Sequence, residues 1–329
     1  MRVSVVVPVY NGAGRVGACL QAIFRQSLAP DTYEVIVVDD GSTDGTARVV
    51  GGYPARLLAQ PRQGAAAARN RGLFAARGDL VLFTDADCEP APDWIEQMCA
   101  PFDDARVGGV KGVYRTCQRS LVARFVQMEY EDKYRRMARE QTIDFIDTYS
   151  AGYRREVVQA VGGFDTSFPA ASVEDQELSF RLAKAGQRLV FQPAARVYHQ
   201  HAGTLAAYAR KKYRIGYWKV LVHVKHPDKL LRDSHTPQVL KVQILLLPCL
   251  AAGALAALIW PPAAWIAALA AGLLGTSMVP FSVRAWHADR AVALAAPCLL
   301  LVRAAALGVG FAAGLVARVG ERLFRGRDR

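Results

Sequence analysis

Three short, almost wholly apolar runs govern what this chain can become: Val3-Ser4-Val5-Val6-Val7, Val35-Ile36-Val37-Val38 and Leu80-Val81-Leu82-Phe83. A strand with no polar face has to be covered on both sides, as happens in a parallel sheet sandwiched between helices. Helical stretches separate the runs. One carries Val16, Leu20, Ile23 and Phe24 on one face, and another is alanine-rich over 64–77. A third follows Asp39-Asp40-Gly41-Ser42-Thr43-Asp44-Gly45-Thr46, a loop of helix-capping residues. Arg56-Leu57-Leu58-Ala59 reads as a weaker strand, and Pro8 is expected to stop the first one. The alternation predicts an α/β domain with a mostly parallel central sheet.

The third run ends in Asp85-Ala86-Asp87. Carboxyl ends of strands are where open α/β sheets place their ligands. Two carboxylates this close repel unless a cation lies between them. Hard oxygen ligands suit Mg2+ or Mn2+ holding a phosphate-bearing substrate. An isolated Asp-x-Asp fits a turn with two solvated acids equally well, so the rest of the chain has to decide. No Gly-x-x-x-x-Gly-Lys-Ser/Thr occurs, which argues against a P-loop domain.

From Val107 the pattern changes. A strand over 107–114 leads to a charged helix near 120–139, a Gly-containing loop at Ser150-Ala151-Gly152 and a short helix. Gly162-Gly163-Phe164-Asp165 and a helix over 173–185 that opens with Glu174-Asp175 come next, and a strand pair is expected to close at Tyr198-His199-Gln200-His201. This half is expected to cover the sheet and form a second wall of the cleft.

Charge separates the ends of the chain. The first 202 residues carry 24 basic and 24 acidic side chains, so the net charge of +12 belongs to the last third. A nucleic-acid binder would show its basic patch on the folded head, so no nucleic-acid partner is expected. Cations flanking apolar runs instead suit a protein seated on anionic membrane lipids. Residues 203–226 mix Tyr208, Tyr213, Tyr217 and Trp218 with Arg210, Lys211, Lys212, Arg214 and Lys219, the pattern of an interfacial helix. Runs over 242–260 and 263–283 each approach the roughly twenty residues that cross a bilayer. Lys241 and Arg284 flank the pair, whereas the turn Trp260-Pro261-Pro262 has no cation, which places both outer ends in the cytoplasm. The third run, 291–317, contains Pro297 and Arg303 and precedes five arginines. It is expected to be re-entrant or interfacial, with Arg303 snorkelling to the headgroups. The divisions are therefore 1–202, an interfacial helix and linker over 203–236, and a membrane module over 237–329. Six cysteines form no Cys-x-x-Cys pair and suit a reducing compartment, and the N-terminus does not read as a signal peptide. The head is accordingly expected at the cytoplasmic side of the inner membrane.

Six blocks in order carry a family resemblance: Val3 through Asn11, Glu34 through Thr46, Ala68-Arg69-Asn70-Arg71-Gly72, Thr84-Asp85-Ala86-Asp87, Val161 through Asp165, and Glu174-Asp175. Over roughly residues 1–202 the chain resembles the family 2 inverting glycosyltransferases, in a membrane-anchored bacterial-type form. The resemblance implies a GT-A fold that binds a nucleotide-diphosphate sugar with Mn2+ or Mg2+. It matches Pro8, Tyr10 and Asn11 to the nucleotide-contacting strand end. Asp40 matches the acid that accepts from the base ring, with Asp39 and Gly41 beside it, and Arg69 a base-proximal residue. Asp85 matches the acid on the ribose and metal side, and Asp87 the metal ligand. Asp175 is the implied catalytic base, with Glu174 in second place for that role. His199 lies near the spacing at which some members place a third metal ligand, and His-x-His directs both rings to one side of a strand, with His201 the weaker candidate.

Processive members carry Gln-x-x-Arg-Trp before several further spans. Here the region reads Arg210-Lys211-Lys212-Tyr213-Arg214-Ile215-Gly216-Tyr217-Trp218. That departure favours a single transfer onto a lipid-linked or membrane-proximal glycan acceptor over a processive polysaccharide synthase. The sequence is also compatible with a nucleotidyltransferase, or with a non-catalytic membrane scaffold that binds a nucleotide sugar without turning it over.

Overall fold

The computed structural model describes residues 2–168, 173–230 and 236–325. The chain forms two compact units, Met1–Cys117 with Tyr130–Gln200, and Gln118–Glu129 with His201–Arg329. Residues 118–129, expected in the head, thus group with the C-terminal helices. Arg327, Arg329 and the middle of the linker lie outside the described residues.

The first unit opens with β1 (Val3–Val9), α1 (Val16–Ile23), β2 (Tyr33–Asp39), α2 (Thr46–Val50), β3 (Arg56–Ala59), α3 (Ala65–Ala75) and β4 (Leu80–Phe83). It continues with β5 (Cys88–Pro90), α4 (Trp94–Cys99), β6 (Val107–Arg115), the second half of α5 (Leu121–Met137), β7 (Ala151–Arg154), α6 (Arg155–Ala160), α7 (Glu174–Lys184) and β8 (Arg188–His199). Eight strands make one sheet in the order β3-β2-β1-β4-β7-β6-β8-β5. The β1–β2, β1–β4, β2–β3 and β6–β8 pairs are parallel, whereas β4–β7, β6–β7 and β5–β8 are antiparallel.

The apolar runs serve both faces, as a strand without a polar side must. Val3, Val5, Val7, Leu80 and Leu82 join one buried cluster, and Val6, Ile36, Val38, Val81 and Phe83 join the opposite one. Helix α3 packs close because Gly72 has no side chain, since a Cβ there would lie 2.3 Å from Val6 Cγ1.

Three expectations about the strands of the first unit need correction. Strand β1 passes through Pro8 to Val9. The Asp40 N–H donates to Val9 O, so Val9 faces β2, and alternation turns Pro8 the other way. There β4 has already ended at Phe83, so no ladder bond is lost. The loop expected at Ala151-Gly152 is strand β7, where a Cβ on Gly152 would lie 2.8 Å from Leu82 Cδ2. The expected closing strand pair is a single strand, β8, whose end pairs with β5.

The second unit holds the first half of α5, then α8 (Leu205–Lys225), α9 (Gln238–Ala257), α10 (Ala264–Ala288) and α11 (Arg290–Arg325). Among the described residues, three stretches, Gln238–Ala257, Pro261–Ala288 and Arg290–Val319, are long and apolar enough to cross a membrane. Helix α11 is continuous through Pro297, so it has no break at which to re-enter. Helix α8 meets it through glycines: a Cβ on Gly216 would lie 2.3 Å from Leu307 O, and one on Gly310 2.1 Å from Tyr213 O. Arg303 does not snorkel. It is buried, donating to Glu129 Oε1 at 3.1 Å and to Gln243 Oε1 at 2.9 Å. Glu129 also accepts from Lys212 at 3.1 Å and from the Tyr208 hydroxyl at 3.0 Å. Burial alone would raise the Glu129 carboxyl, but Lys212 and Arg303 overcome it and hold it below its usual range.

Candidate active site

The loops after β1 and β2 hold each other by side chain to backbone. Asn11, in the left-handed region at φ 47°, donates its N–H to Ser42 Oγ at 2.8 Å and accepts from Thr43 N at 2.8 Å. The Gly12 N–H donates to Thr46 Oγ1 and the Ala13 N–H to Asp44 Oδ2. The Ser, Thr and Asp residues that read as helix caps therefore cap the neighbouring loop as well. Asp39 Oδ1 accepts from Ser42 N, and Gly41 takes φ +78°. Tyr10 stands exposed with the Arg62 guanidinium 4.1 Å over its ring.

Asp40 is buried and already engaged. Its carboxylate accepts from Gln60 Nε2, Gln63 N and Gly64 N, each at 2.8 Å, tying the end of β2 to the start of α3. A carboxylate has about four acceptor positions, so one is left for a base ring. Pro8 sits at the strand end beside these loops.

The tip of β4 is built by a strand that has no sequence signal of its own. Residues 88–90 form β5, which pairs antiparallel with the end of β8 and sets Cys88 opposite His199. This brings His199 Nδ1 to 3.4 Å from Asp87 Oδ1, although the two are far apart in sequence. The His199 ring lies stacked on Tyr114 at 4.6 Å between centroids. Cys88 Sγ is 3.8 Å from both partners, so Asp87, Cys88 and His199 form a group able to surround an ion. Burial and the neighbouring Asp85 and Asp87 raise the Cys88 thiol well above its usual range, which leaves it a poor ligand for a hard cation. A carboxylate and an imidazole fit Mn2+ or Mg2+, with phosphate oxygens and water to complete the shell, and the Arg15 guanidinium stands 3.5 Å from Asp87 Oδ2. His201 lies past the end of β8, with its Nε2 3.0 Å from Gln127 Oε1, and does not accompany His199. Asp85 turns to Arg69 instead of joining Asp87 and His199 in that group.

Arg69 is matched by the family resemblance to a base-proximal residue. It is buried, and it bridges two acids: Nη1 lies 2.6 Å from Glu174 Oε1 and Nη2 3.1 Å from Asp85 Oδ1. Asn70 fixes the same helix to the Gly162-Gly163 turn, accepting from Phe164 N and donating to Phe164 O, both at 2.7 Å. Glu174 is thus occupied by Arg69. Asp175, the next residue, is half-buried and accepts from its neighbour Gln176 N at 2.8 Å and from Thr148 N at 3.4 Å. Removal from water, followed by repulsion from Glu174 and Asp147, pushes its carboxyl up to about 8, with Arg69 opposing. Of the two acids, Asp175 is the one placed to take up a proton near neutral pH.

Sequence reasoning missed Cys88, Arg62 and the paired role of Asn70. Only Asn70 left a trace, lying beside Arg69 in one of the recurring blocks.

Residues 4–162 match the family model described as glycosyl transferase family 2. The glycosyltransferase AglE of Haloferax volcanii is 30% identical over 230 residues, which cover 67% of this chain and 73% of that protein. The pre-mycofactocin glycosyltransferase of Mycobacterium tuberculosis is 31% identical over 237 residues, covering 69% of this chain but only 48% of that one. Among solved structures, a mannosyltransferase of Pyrobaculum calidifontis, PcManGT, in complex with GDP-Man and Mn2+, superimposes with a TM-score of 0.61 at 24% identity. That superposition covers 95% of this chain and 87% of the other, and it shows the shared GT-A fold.

Proposed function

The chain belongs to glycosyl transferase family 2, and from that membership we propose an inverting, metal-dependent, non-processive transferase. Its donor is a nucleotide-diphosphate sugar and its acceptor a lipid-linked or membrane-proximal glycan. The head works on the cytoplasmic face of the inner membrane, where the C-terminal helices anchor it among the lipids. One observation carries the reading. The β5–β8 pairing brings His199 to Asp87, while Arg69 ties Asp85, two residues away, to Glu174 beside Asp175. This chain of contacts from Asp87 to Asp175 supports a metal-binding strand end and a proton acceptor working on one substrate.

The residues divide the work. The loops holding Tyr10, Asn11, Asp39 and Asp40 receive the nucleotide, with Tyr10 and Arg62 offering a flat cationic surface to a base. Asp87 and His199 would hold the divalent ion, with Asp85 alongside. When bound, that ion offsets the charge that builds on the diphosphate as the bond to the sugar breaks. Asp175 accepts the acceptor's hydroxyl proton while the oxygen attacks the anomeric carbon from the face opposite the diphosphate. Arg69 engages Glu174, which leaves Asp175 as the acid outside that ion pair. The GDP-Man and Mn2+ in PcManGT support a nucleotide-sugar donor and a divalent ion for this chain as well. Lys241 and Arg284 at the outer ends of α9 and α10, with no cation between, support the cytoplasmic head.

The test uses membranes containing the full chain, a panel of labelled nucleotide sugars, and lipid-linked and water-soluble acceptors side by side. Transfer should occur once per acceptor, require Mn2+ or Mg2+, and favour the lipid-linked acceptor. Equal rates on soluble acceptors would remove the membrane-held acceptor, and chelator-resistant transfer would remove the metal.

A further inference from the structure

Behind Asp175 lies a group of charges that sugar transfer as proposed does not use. Lys111 on β6 is wholly buried, and its ammonium donates to Asp147 and, at 3.1 Å, to the Tyr149 hydroxyl. Lys133 on α5, also buried, reaches the same carboxylate at 2.9 Å. Two ammonium groups thus share one carboxylate, inside walls formed by Tyr134, Phe145 and Tyr149. An excess positive charge in such a place is unfavourable unless another anion answers it or a proton leaves.

The anion within reach is Asp175. Thr148, the neighbour of Asp147, donates its backbone N–H to Asp175 Oδ2, and both lysines are stabilised in their charged form by Asp175. The other charged or titratable groups facing Asp175 are Glu174 and Arg69, which pair with each other, and the buried Tyr153. Lys111, Lys133, Asp147 and Asp175 are together neutral only when Asp175 is a carboxylate. Charge balance therefore favours the protonation state that a base needs before it acts.

We propose that Lys111, Asp147 and Lys133 are positioning residues for Asp175, a net-positive group that opposes its protonation and so sets the pH at which it accepts the acceptor's proton. The inference rests on the reading of Asp175 as the base. In the step itself the acceptor O–H bond breaks, the new O–C bond forms, and the C–O bond to phosphate breaks with its electron pair on the leaving diphosphate. The proton rests on Asp175 Oδ, leaving the group with one positive charge in excess until that proton passes to water. Burial pushes Lys133 down to about 7, within the range in which Asp175 titrates, so the two respond to pH together.

The experiment measures kcat against pH at saturating metal, donor and acceptor for the full chain and for K133M, K133R and D175N. K133M should move the acid limb upward by about one pH unit or more, because Asp175 loses a cation that favours its charged form. K133R keeps a charge that cannot leave and should move the limb the other way or hold it in place. An unmoved limb in K133M, or an upward shift in K133R, overturns the proposal. Should K133M fail to fold, K133R decides alone by the same criterion. Undiminished turnover in D175N means that Asp175 is not the base, and the whole reading fails. A dead D175N beside unmoved limbs defeats only the role given to the two lysines and Asp147.

Discussion

Arg69 and Glu174 are separated by 105 positions, yet their side chains meet at 2.6 Å in the interior, each almost completely buried. This pair, with Asp85 on the other side of the guanidinium, fixes the start of α7 to the end of β4. The guanidinium thereby holds Asp85 and Glu174 at fixed places relative to each other.

Removing the cation should be costly. Arg69→Met removes the guanidinium from its buried pair with Glu174, and loss of one member of such a pair destabilises by about 3–5 kcal/mol. Arg69→Lys should recover only part of that, since a point charge cannot span both carboxylates as the guanidinium fork does. Thermal and denaturant unfolding of the three proteins measures both losses, and equal stability of Arg69→Met and the parent would contradict the bridge.

His199 is expected to act on the metal and not on the fold. His199→Ala should weaken Mn2+ by at least the roughly 10–100-fold that loss of an outer-shell partner already causes. Mn2+ titration followed by electron paramagnetic resonance of the free ion reads this directly. An unchanged Mn2+ affinity would remove His199 from the site.

Asp175 should make turnover depend on pH. With its carboxyl raised to about 8, kcat/KM should climb with pH up to that value and level off above it. Asp175→Asn should lower kcat by about 10²–10⁴-fold while leaving donor binding intact. Stability moves the opposite way. Between roughly pH 4 and 8 the folded chain holds a proton on Asp175 that the unfolded chain has released. The contribution of this group is therefore full below about pH 4 and is lost as pH rises through 8. Melting temperatures compared across that range for the parent and Asp175→Asn measure the sign.

Asn70 clamps the Phe164 peptide from both sides, so Asn70→Ala orphans a donor and an acceptor. The expected cost is about 1–3 kcal/mol per unsatisfied group. Gly163→Ala should destabilise by a different route, because φ is +73° and the new Cβ would fall 2.4 Å from Asn70 Oδ1. If Asn70→Ala relieved the Gly163→Ala clash, the double variant would lose less than the two single variants added together, and a double-mutant cycle measures that.

Much of this architecture is legible along the chain. Runs such as Val35–Val38 and Leu80–Phe83 announce strands covered on both faces because side chains alternate every residue and neither face is polar. The acids at the strand ends, the capping loop before α2 and the apolar lengths of α9 and α10 are equally local properties. Other features depend on partners remote in sequence. Strand β5 is three residues long and exists through its pairing with β8, so the meeting of Asp87 with His199 has no local signature.

Burial of charge divides along the same line. Arg69, Lys111, Lys133 and Arg303 look like surface cations one at a time, and only the fold supplies the carboxylates that let them leave water. The sequence by itself determined which segments become strands and helices and where the acids stand along them, because periodicity and turn chemistry act over a few residues. Tertiary structure alone decided which acid meets His199, which two are tied to Arg69 and that Asp175 stands outside that bridge, because the energy of a buried charge is set by neighbours brought from distant parts of the chain.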